Sequence, residues 1–354
     1  MKISHDFFDN ISFTKRDILS KLKTEKSPTY IFGEGEYSTI VSKFLIENKI
    51  NVLKHFTLIG NELFHKGNQF EFIEGTFNIV IGIADESKAR TLISSFKDKL
   101  NNSTGIYYFA LNPFYNLNKE ILISNSDKLN LVLNILNDNE SKQIFTNYLK
   151  SAFSFSSEYL SNTMPQYFPS FFQLTDKEIV VDGGAYIGDT LDEYLRIHQK
   201  FLQYHAFEPS IHNFLELSKY KNSNDLYIYN KGLGLSNKTL LFHDGVESST
   251  TSSFVSSSFN SNNLHEVQIV RLDDVLSKVT FIKLDIEGAE LDALIGSANL
   301  ISNCKPKVAV CIYHKFEHLW QIIDFLKSLR SDYQFSIRYH SISNILTELV
   351  LYAY

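Results

Sequence analysis

The chain has 354 residues, 44% hydrophobic and 21% charged, which excludes disorder over its whole length and, at roughly 150 residues per domain, predicts two domains. Lys and Arg number 34 against 40 Asp and Glu, a net charge of −6, so no basic excess exists to hold a polyanion and nucleic acid is excluded as the main partner. The longest apolar runs, Asn78–Ala84 and Val308–Tyr313, are too short for a membrane span, Asp6 precedes any apolar core a signal peptide would need, and two cysteines, Cys304 and Cys311, build no disulfide framework, so a soluble cytoplasmic protein is expected.

Thr29–Phe32 reads as a strand, followed by Gly-Glu-Gly and a helical pattern over Ser38–Glu47. Phe56–Ile59 and Phe77–Ile83 read as further strands, Glu86–Phe96 as a helix and Ile106–Leu111 as another strand. Strands alternating with helices imply a parallel sheet. From Ser126 to Phe155 apolar residues recur at helical spacing, with a polar break at Asn137–Glu140. Alternation restarts at Lys177. Glu178–Val181, His205–Phe207, Leu226–Tyr229, Phe281–Leu284 and Lys307–Tyr313 are strand candidates, and Gln334–Tyr339 with Glu348–Ala353 predict a closing antiparallel hairpin. The expected organisation is a smaller Rossmann-like α/β domain over 1–124, a helical connector over 125–175 and a larger doubly wound domain over 176–354. Ser248–Ser258, nearly all Ser and Thr, reads as a flexible loop or as a flap over a ligand.

The segment Ile179-Val180-Val181-Asp182-Gly183-Gly184-Ala185-Tyr186-Ile187-Gly188-Asp189-Thr190 joins an apolar strand, a run of small residues and a helix start. In doubly wound sheets ligands sit in this crevice beyond the strand ends. The spacing is not the dinucleotide fingerprint, because a carboxylate leads the glycines and would repel a pyrophosphate. Asp182 instead suits an ammonium or another cation, which favours S-adenosylmethionine. His205-Ala206-Phe207-Glu208-Pro209-Ser210 is a second strand ending in an acid. Glu208 is placed to accept hydrogen bonds from two ribose hydroxyls, with Pro209 and Ser210 serving the turn and the next helix cap. In Phe281-Ile282-Lys283-Leu284-Asp285-Ile286-Glu287-Gly288-Ala289-Glu290, three charges alternate at a strand tip. Burying them is costly unless they pair or bind something; Lys283 paired with Asp285 or Glu287 is the structural alternative.

These segments, with Arg271-Leu272-Asp273-Asp274, Cys311-Ile312-Tyr313-His314 and the ending Thr347-Glu348-Leu349-Val350-Leu351-Tyr352-Ala353, resemble the FkbM family of S-adenosylmethionine-dependent methyltransferases from about Tyr167 to the last residue. The resemblance implies a class I methyltransferase fold, S-adenosylmethionine as cofactor, and methylation of a hydroxyl, often on a sugar of a polysaccharide or glycoside. By that resemblance Asp182 to Thr190 and Glu208 line the cofactor site and Asp285 sits near the methyl group. Two positions depart from the pattern: His318 stands where an acid is expected, and Arg338-Tyr339-His340 replaces Arg-His-Tyr. Acceptor contacts carry over least there.

A sugar hydroxyl is a poor nucleophile, so a general base is expected. His314, at the end of a strand on the carboxyl edge, is the first candidate, Asp285 the second and His340 the third. His314-Lys315-Phe316-Glu317-His318 matches a zinc protease pattern, but that chemistry needs both His on one helix face, and no metal is expected. Near the N-terminus, Gly33-Glu34-Gly35-Glu36-Tyr37-Ser38 is a weak glycine turn with no acid some 20 residues on. A degenerate nucleotide fold used for packing, homodimer contact or acceptor recognition is expected there. The competing functions are an NAD(P)-linked sugar oxidoreductase using that turn and a non-catalytic binding protein of nucleotide fold. The expected partner is a small-molecule or glycan acceptor.

Overall fold

The structure is a computed structural model that describes residues 3, 14–59, 62–83, 86–95, 97–109, 111, 119–155, 159–161, 165–220, 224–243, 253–254, 264–341 and 346–354. The chain divides into two units, one formed by Met1–Asp127, Phe145–Asn162 and Ser341–Thr347, the other by Lys128–Ile144, Thr163–His340 and Glu348–Tyr354. The segment 125–175, read from sequence as a connector, is thus shared between them. None of the described helices is long and apolar enough to cross a membrane.

In the first unit, helix α1 (Thr14–Glu25) precedes β1 (Thr29–Phe32), α2 (Glu36–Glu47), β2 (Val52–Ile59), β3 (Glu62–His65), β4 (Asn68–Gln69), β5 (Phe77–Ile81), α3 (Glu86–Ser95) and β6 (Ser103–Tyr107). The sheet order is β4-β3-β2-β1-β5-β6. Strands β1 and β5 are buried along their whole length, the continuous apolar signature of a parallel strand covered on both faces. Leu22, Ile31, Val41, Phe44, Val80 and Phe109 form the core. The hairpin of β3 and β4 was not expected, because its polar residues lack strand periodicity. Strand β6 ends at Tyr107 rather than beginning at Ile106.

Helices α4 (Lys119–Ser124), α5 (Ser126–Ile135) and α6 (Asn139–Ser154) follow, and the division between the units falls inside α6. The second unit continues with β7 (Ile179–Gly183), α7 (Asp189–His198), β8 (Gln203–Phe207), α8 (Ile211–Leu217) and β9 (Leu226–Tyr229). Next come β10 (Gly232–Leu233), β11 (Lys238–His243), β12 (Ser253–Phe254), β13 (Leu264–Val270) and β14 (Phe281–Leu284). It closes with α9 (Glu290–Ile295), α10 (Ala298–Cys304), β15 (Lys307–Cys311), α11 (His318–Leu329), β16 (Phe335–Tyr339) and β17 (Leu349–Ala353).

The main sheet has seven strands in the order β16-β17-β15-β14-β7-β8-β9. Strands β7, β8, β9, β14 and β15 run parallel, and β17 is antiparallel to both β15 and β16. This is the class I methyltransferase arrangement: from β7 the chain winds outward to β9 and then returns to build β14 and β15 on the other side. The switch point opens a crevice beyond the carboxyl ends of β7 and β14. A smaller sheet, β10-β13-β11-β12, was not foreseen. Of the Ser-rich stretch only Ser253–Phe254 is described, as β12; the rest lies outside the described residues.

Leu351 of β17 is fully buried between Val310 and Ile337 of its neighbours. Leu351→Ala is expected to lower the unfolding free energy by about 2–5 kcal/mol, whereas Leu241→Ala, at a side chain 54% exposed, should shift it by about 0.5 kcal/mol or less. Urea unfolding of the two variants checks this; equal losses would refute the buried position of β17.

Candidate active site

Strand β7 ends at Asp182-Gly183, and the chain turns through Gly184 and Ala185 towards Gly188, the N-cap of α7. Gly184 adopts φ 75°, and a Cβ there would stand 1.9 Å from the Asp285 carbonyl oxygen. Only glycine lets this turn lie against the end of β14. The N–H groups of Gly184 and Ala185 both donate to the Phe207 carbonyl, at 3.0 and 3.1 Å, which ties the turn to the end of β8 as well.

Asp182 is fully buried. One oxygen accepts the Tyr204 hydroxyl at 2.8 Å and the other is ion-paired with Lys283 Nζ at 2.9 Å. Lys283 also donates to the Gly184 carbonyl at 2.7 Å. Burial alone would push the Lys283 ammonium down, but Asp182 and Asp285 hold it above its usual range. Where the sequence suggests a cofactor ligand, Asp182 uses its charge inside the fold: it fixes the ammonium that fixes the turn. Lys283 pairs with its register partner across β7 and β14, not along its own strand.

The rest of the motif separates into buried and accessible parts. Gly183, Ala185, Gly188 and Thr190 are buried, Gly184 and Tyr186 half-buried, Ile187 and Asp189 exposed. The Tyr186 N–H donates to Glu208 Oε2 and the Ser210 N–H to Oε1, both at 2.9 Å. Glu208 is 5% exposed. Burial pushes its carboxyl up to about 7, against the pull of those two N–H groups. The Asn213 amide also reaches Oε1, at 3.5 Å, so Oε2 is the oxygen that keeps a lone pair for a further donor. Half-buried Pro209 turns its carbonyl to the Asn230 amide at 3.0 Å.

On the other side of the switch point, Asp285 gathers hydroxyls. Its Oδ2 accepts the Tyr167 hydroxyl at 2.8 Å, and its Oδ1 stands 3.4 Å from the Tyr313 hydroxyl. That hydroxyl lies 3.2 Å from Glu348 Oε1, and the Gln166 amide donates to Glu348 Oε2. Burial and the Asp285 charge push the Glu348 carboxyl up to about 7. The same causes raise both tyrosine hydroxyls well above their usual range, so they stay protonated donors.

His314 is brought to this group but not as a free base. Strand β15 stops at Cys311, and the turn beyond it sets His314 Nδ1 at 2.9 Å from Glu290 Oε1. Nε2 faces Glu287 at 3.4 Å and Asp285 at 3.7 Å. Burial would lower this ring, but the carboxylates of Glu290, Glu287 and Asp285 hold it well above the usual imidazole range. A protonated ring has no lone pair to accept a hydroxyl proton. His318 joins from the start of α11, its Nδ1 3.2 Å from Glu290 Oε2, so the imidazole at the position where an acid was expected meets a buried acid. His340 is elsewhere, buried on the terminal strands with Nε2 2.7 Å from the Tyr352 hydroxyl.

Sequence reasoning missed Tyr167, Tyr313, Glu290 and Glu348. Tyr313 and Glu348 lie inside motifs that carried the resemblance, and Glu290 stands two residues after Gly288, so their positions were visible but their convergence was not. A cleft of about 530 Å³ lined by Pro165, Phe168, Glu193, Arg196 and His198 lies at the far end of α7 from Gly188 and holds none of these groups. In the first unit the glycine turn is committed internally: Glu34 accepts the Lys66 N–H at 2.7 Å, and Ser38 donates to the Gly35 carbonyl.

Residues 182–337 match the family model described as methyltransferase FkbM domain. No curated protein matches the chain. Among solved structures, the methyltransferase FkbM from Methylobacillus flagellatus KT is similar with a TM-score of 0.70 and 19% identity, covering 99% of this chain and 95% of that one; at this identity the likeness is one of fold. A putative rRNA-methylase from Clostridium thermocellum (TM-score 0.34, 12% identity, 55% of this chain and 95% of that one) and an rRNA methylase from Streptococcus thermophilus (0.33, 12%, 54% and 96%) are similar over about half the chain. These two carry no argument about chemistry.

The ion pair gives a test that separates structure from ligand binding. Asp182→Asn strands a buried ammonium and should cost about 3–5 kcal/mol of stability. Asp182→Asn combined with Lys283→Met should recover most of that loss in chemical denaturation. A single variant as stable as the parent would refute the brace.

Proposed function

Because the chain belongs to the FkbM methyltransferase family through residues 182–337, we propose that it is an S-adenosylmethionine-dependent O-methyltransferase acting on a sugar hydroxyl, in polysaccharide or glycoside biosynthesis. The observation that carries the cofactor reading is Glu208. A carboxyl this buried, held by two backbone N–H groups and the Asn213 amide, is suited to accept from the hydroxyls that the adenosyl ribose offers. In this reading Glu208 holds the ribose, Tyr186, Ile187 and Asp189 border the site, and Asp182, Gly183 and Gly184 shape it through Lys283. When bound, the cofactor supplies a methyl group already activated on a sulfonium.

A polyhydroxyl acceptor fits the other side. Asp285, Glu348 and the hydroxyls of Tyr167 and Tyr313 offer acceptors and donors close together, as a sugar ring requires. Asp285, 23% exposed at its side chain, orients the acceptor hydroxyl and takes its proton. Tyr313 connects Asp285 to Glu348, whose carboxyl near 7 suits it to hold that proton at working pH. Alignment of acceptor and methyl then contributes most of the rate.

Titration with S-adenosylhomocysteine in a calorimeter tests the cofactor reading. Glu208→Gln should weaken binding about 10–100-fold, the worth of a charged hydrogen bond or two. Hydroxyl donors favour the ionised carboxylate, so the bound pKa lies below the free value of about 7. Affinity should therefore be full above pH 7 and fall up to about tenfold per unit below it. No heat with the parent chain, or a variant that matches it, would overturn the reading.

A further inference from the structure

We propose that His314 is a positioning residue for the acceptor-side carboxyls: an imidazolium locked by Glu290, whose fixed charge keeps Asp285 and Glu348 ready to take a proton. One shared oxygen carries the argument. Asp285 Oδ1 lies 3.7 Å from His314 Nε2 and 3.4 Å from the Tyr313 hydroxyl. That hydroxyl lies 3.2 Å from Glu348 Oε1, so the ring stands at one end of a chain of carboxyl and hydroxyl groups. Tyr313 and His314 are consecutive, their ring centroids 4.0 Å apart. One turn after β15 therefore supplies both the connecting hydroxyl and the charge.

The two edges of the ring differ. On the buried edge, Nδ1 meets Glu290 Oε1 at 2.9 Å, a contact length for a charged pair. Glu290 is fully buried and accepts the N–H groups of Ile286 at 3.0 Å and Gly288 at 3.2 Å. Its other oxygen lies 3.2 Å from His318 Nδ1. Burial pushes this carboxyl up, but the two rings and the Ile286 N–H hold it far below its usual range. An acid that stays ionised keeps the ring proton in place. On the open edge, Nε2 faces Glu287 at 3.4 Å and Asp285 at 3.7 Å. These distances are longer than charge-assisted hydrogen bonds, so the ring acts there through its charge.

The charged and titratable groups around the ring are Asp285 and Glu287 beyond β14, Glu290 on α9, Tyr313, Lys315 and His318 along its own segment, and Glu348 before β17. Carboxyls this close raise one another's proton affinity, and burial with the Asp285 charge already brings Glu348 to about 7. Lys283, whose charge also reaches Asp285, is committed to Asp182 and the Gly184 carbonyl. A buried pair kept for stability alone is replaceable by apolar side chains at little cost. This one turns its second edge to carboxylates 23% and 46% exposed, at the open side of the crevice. In the sugar-hydroxyl reading, on which this role rests, the acceptor proton passes to Asp285, and Tyr313 takes it while giving its own to Glu348. The locked ring and its effect on the two carboxyls rest only on these side chains.

NMR of the full-length chain, with ¹⁵N-labelled histidine and ¹³C-labelled carboxyls, tests this. In the parent, both His314 nitrogens should keep their protons from about pH 5.5 to 8.5, a window around the free imidazole value, while Glu348 titrates near 7. His314→Gln keeps bulk and removes charge. It should move the Glu348 titration up by about 1–3 pH units, the effect of losing one nearby opposite charge, with thermal melts confirming the fold; a ring that only packs would leave that titration in place. Glu290→Gln should bring proton loss from the ring into the same window. S-adenosylhomocysteine calorimetry on these samples separates the readings: a locked ring and a shifted carboxyl in a chain that binds no nucleoside would sink the methyltransferase reading and leave the fixed charge standing. A parent ring that loses its proton within the window, which no variant need fold to show, overturns the proposal. So does a folded His314→Gln chain whose Glu348 titrates as in the parent.

Discussion

The pair of Lys283 and Asp182 governs the geometry of everything around the crevice. Two opposite charges in a protein interior lose their water, and their attraction repays that loss only when every remaining donor and acceptor finds a partner. Here the ammonium spends its other hydrogens on the carbonyl at Gly184, and the carboxylate takes the Tyr204 hydroxyl. The result is a brace across the ends of β7 and β14. It sets where the glycine turn lies, and the turn then admits the Asp285 carbonyl where a side chain would stand. The same turn hands two N–H groups to β8, so three strand ends are held by one buried charge pair and its dependants.

Beyond the brace the two sides of the crevice differ in charge. The β7 and β8 side carries Glu208, held by backbone N–H groups, Asp182, paired with Lys283, and the exposed Asp189. The β14 and β15 side carries Asp285, Glu287 and Glu290, with Glu348 arriving from the start of β17. Like charges this close raise one another's proton affinity; burial and the Asp285 charge push Glu348 up to about 7, and the fold answers the remaining charge with tyrosine hydroxyls and the His314 ring. Under the proposed function, that asymmetry assigns the quieter side to the nucleoside and the acid-rich side to the acceptor, and the switch point of the sheet lets them meet.

Much of this was legible in the sequence. Apolar runs ending in Asp182, Glu208 and Leu284-Asp285 located three strand tips, because a charge after a buried strand and before a glycine has few structural uses. The closing hairpin was legible from its two apolar segments. Register was not. Nothing local tells Lys283 that Asp182 lies beside it on the next strand, so the sequence paired it with neighbours on its own strand. His314 was singled out by its place after a strand, but its surroundings depend on α9 turning Glu290 back underneath it. Strands β10 to β13 were missed because their segments are short or lack clean alternation, and β3 with β4 because a polar hairpin has no hydrophobic period.

Backbone strain ties these observations together. Among the described residues ten non-glycine residues have positive φ, and several, such as Gln199 and Lys305, merely end helices. Three others sit at the crevice: Tyr186, whose N–H reaches Glu208; Glu287, which faces His314; and Glu348, which meets Tyr313. A left-handed residue with a side chain is held only where its surroundings over-determine it, and simple turns could be built more stably with glycine. Each of these three aims a donor or a carboxylate into the same crevice, and an alternative glycine would supply no carboxylate at two of them. Strain concentrated where charges converge is what a site shaped for ligands, rather than for stability alone, would show.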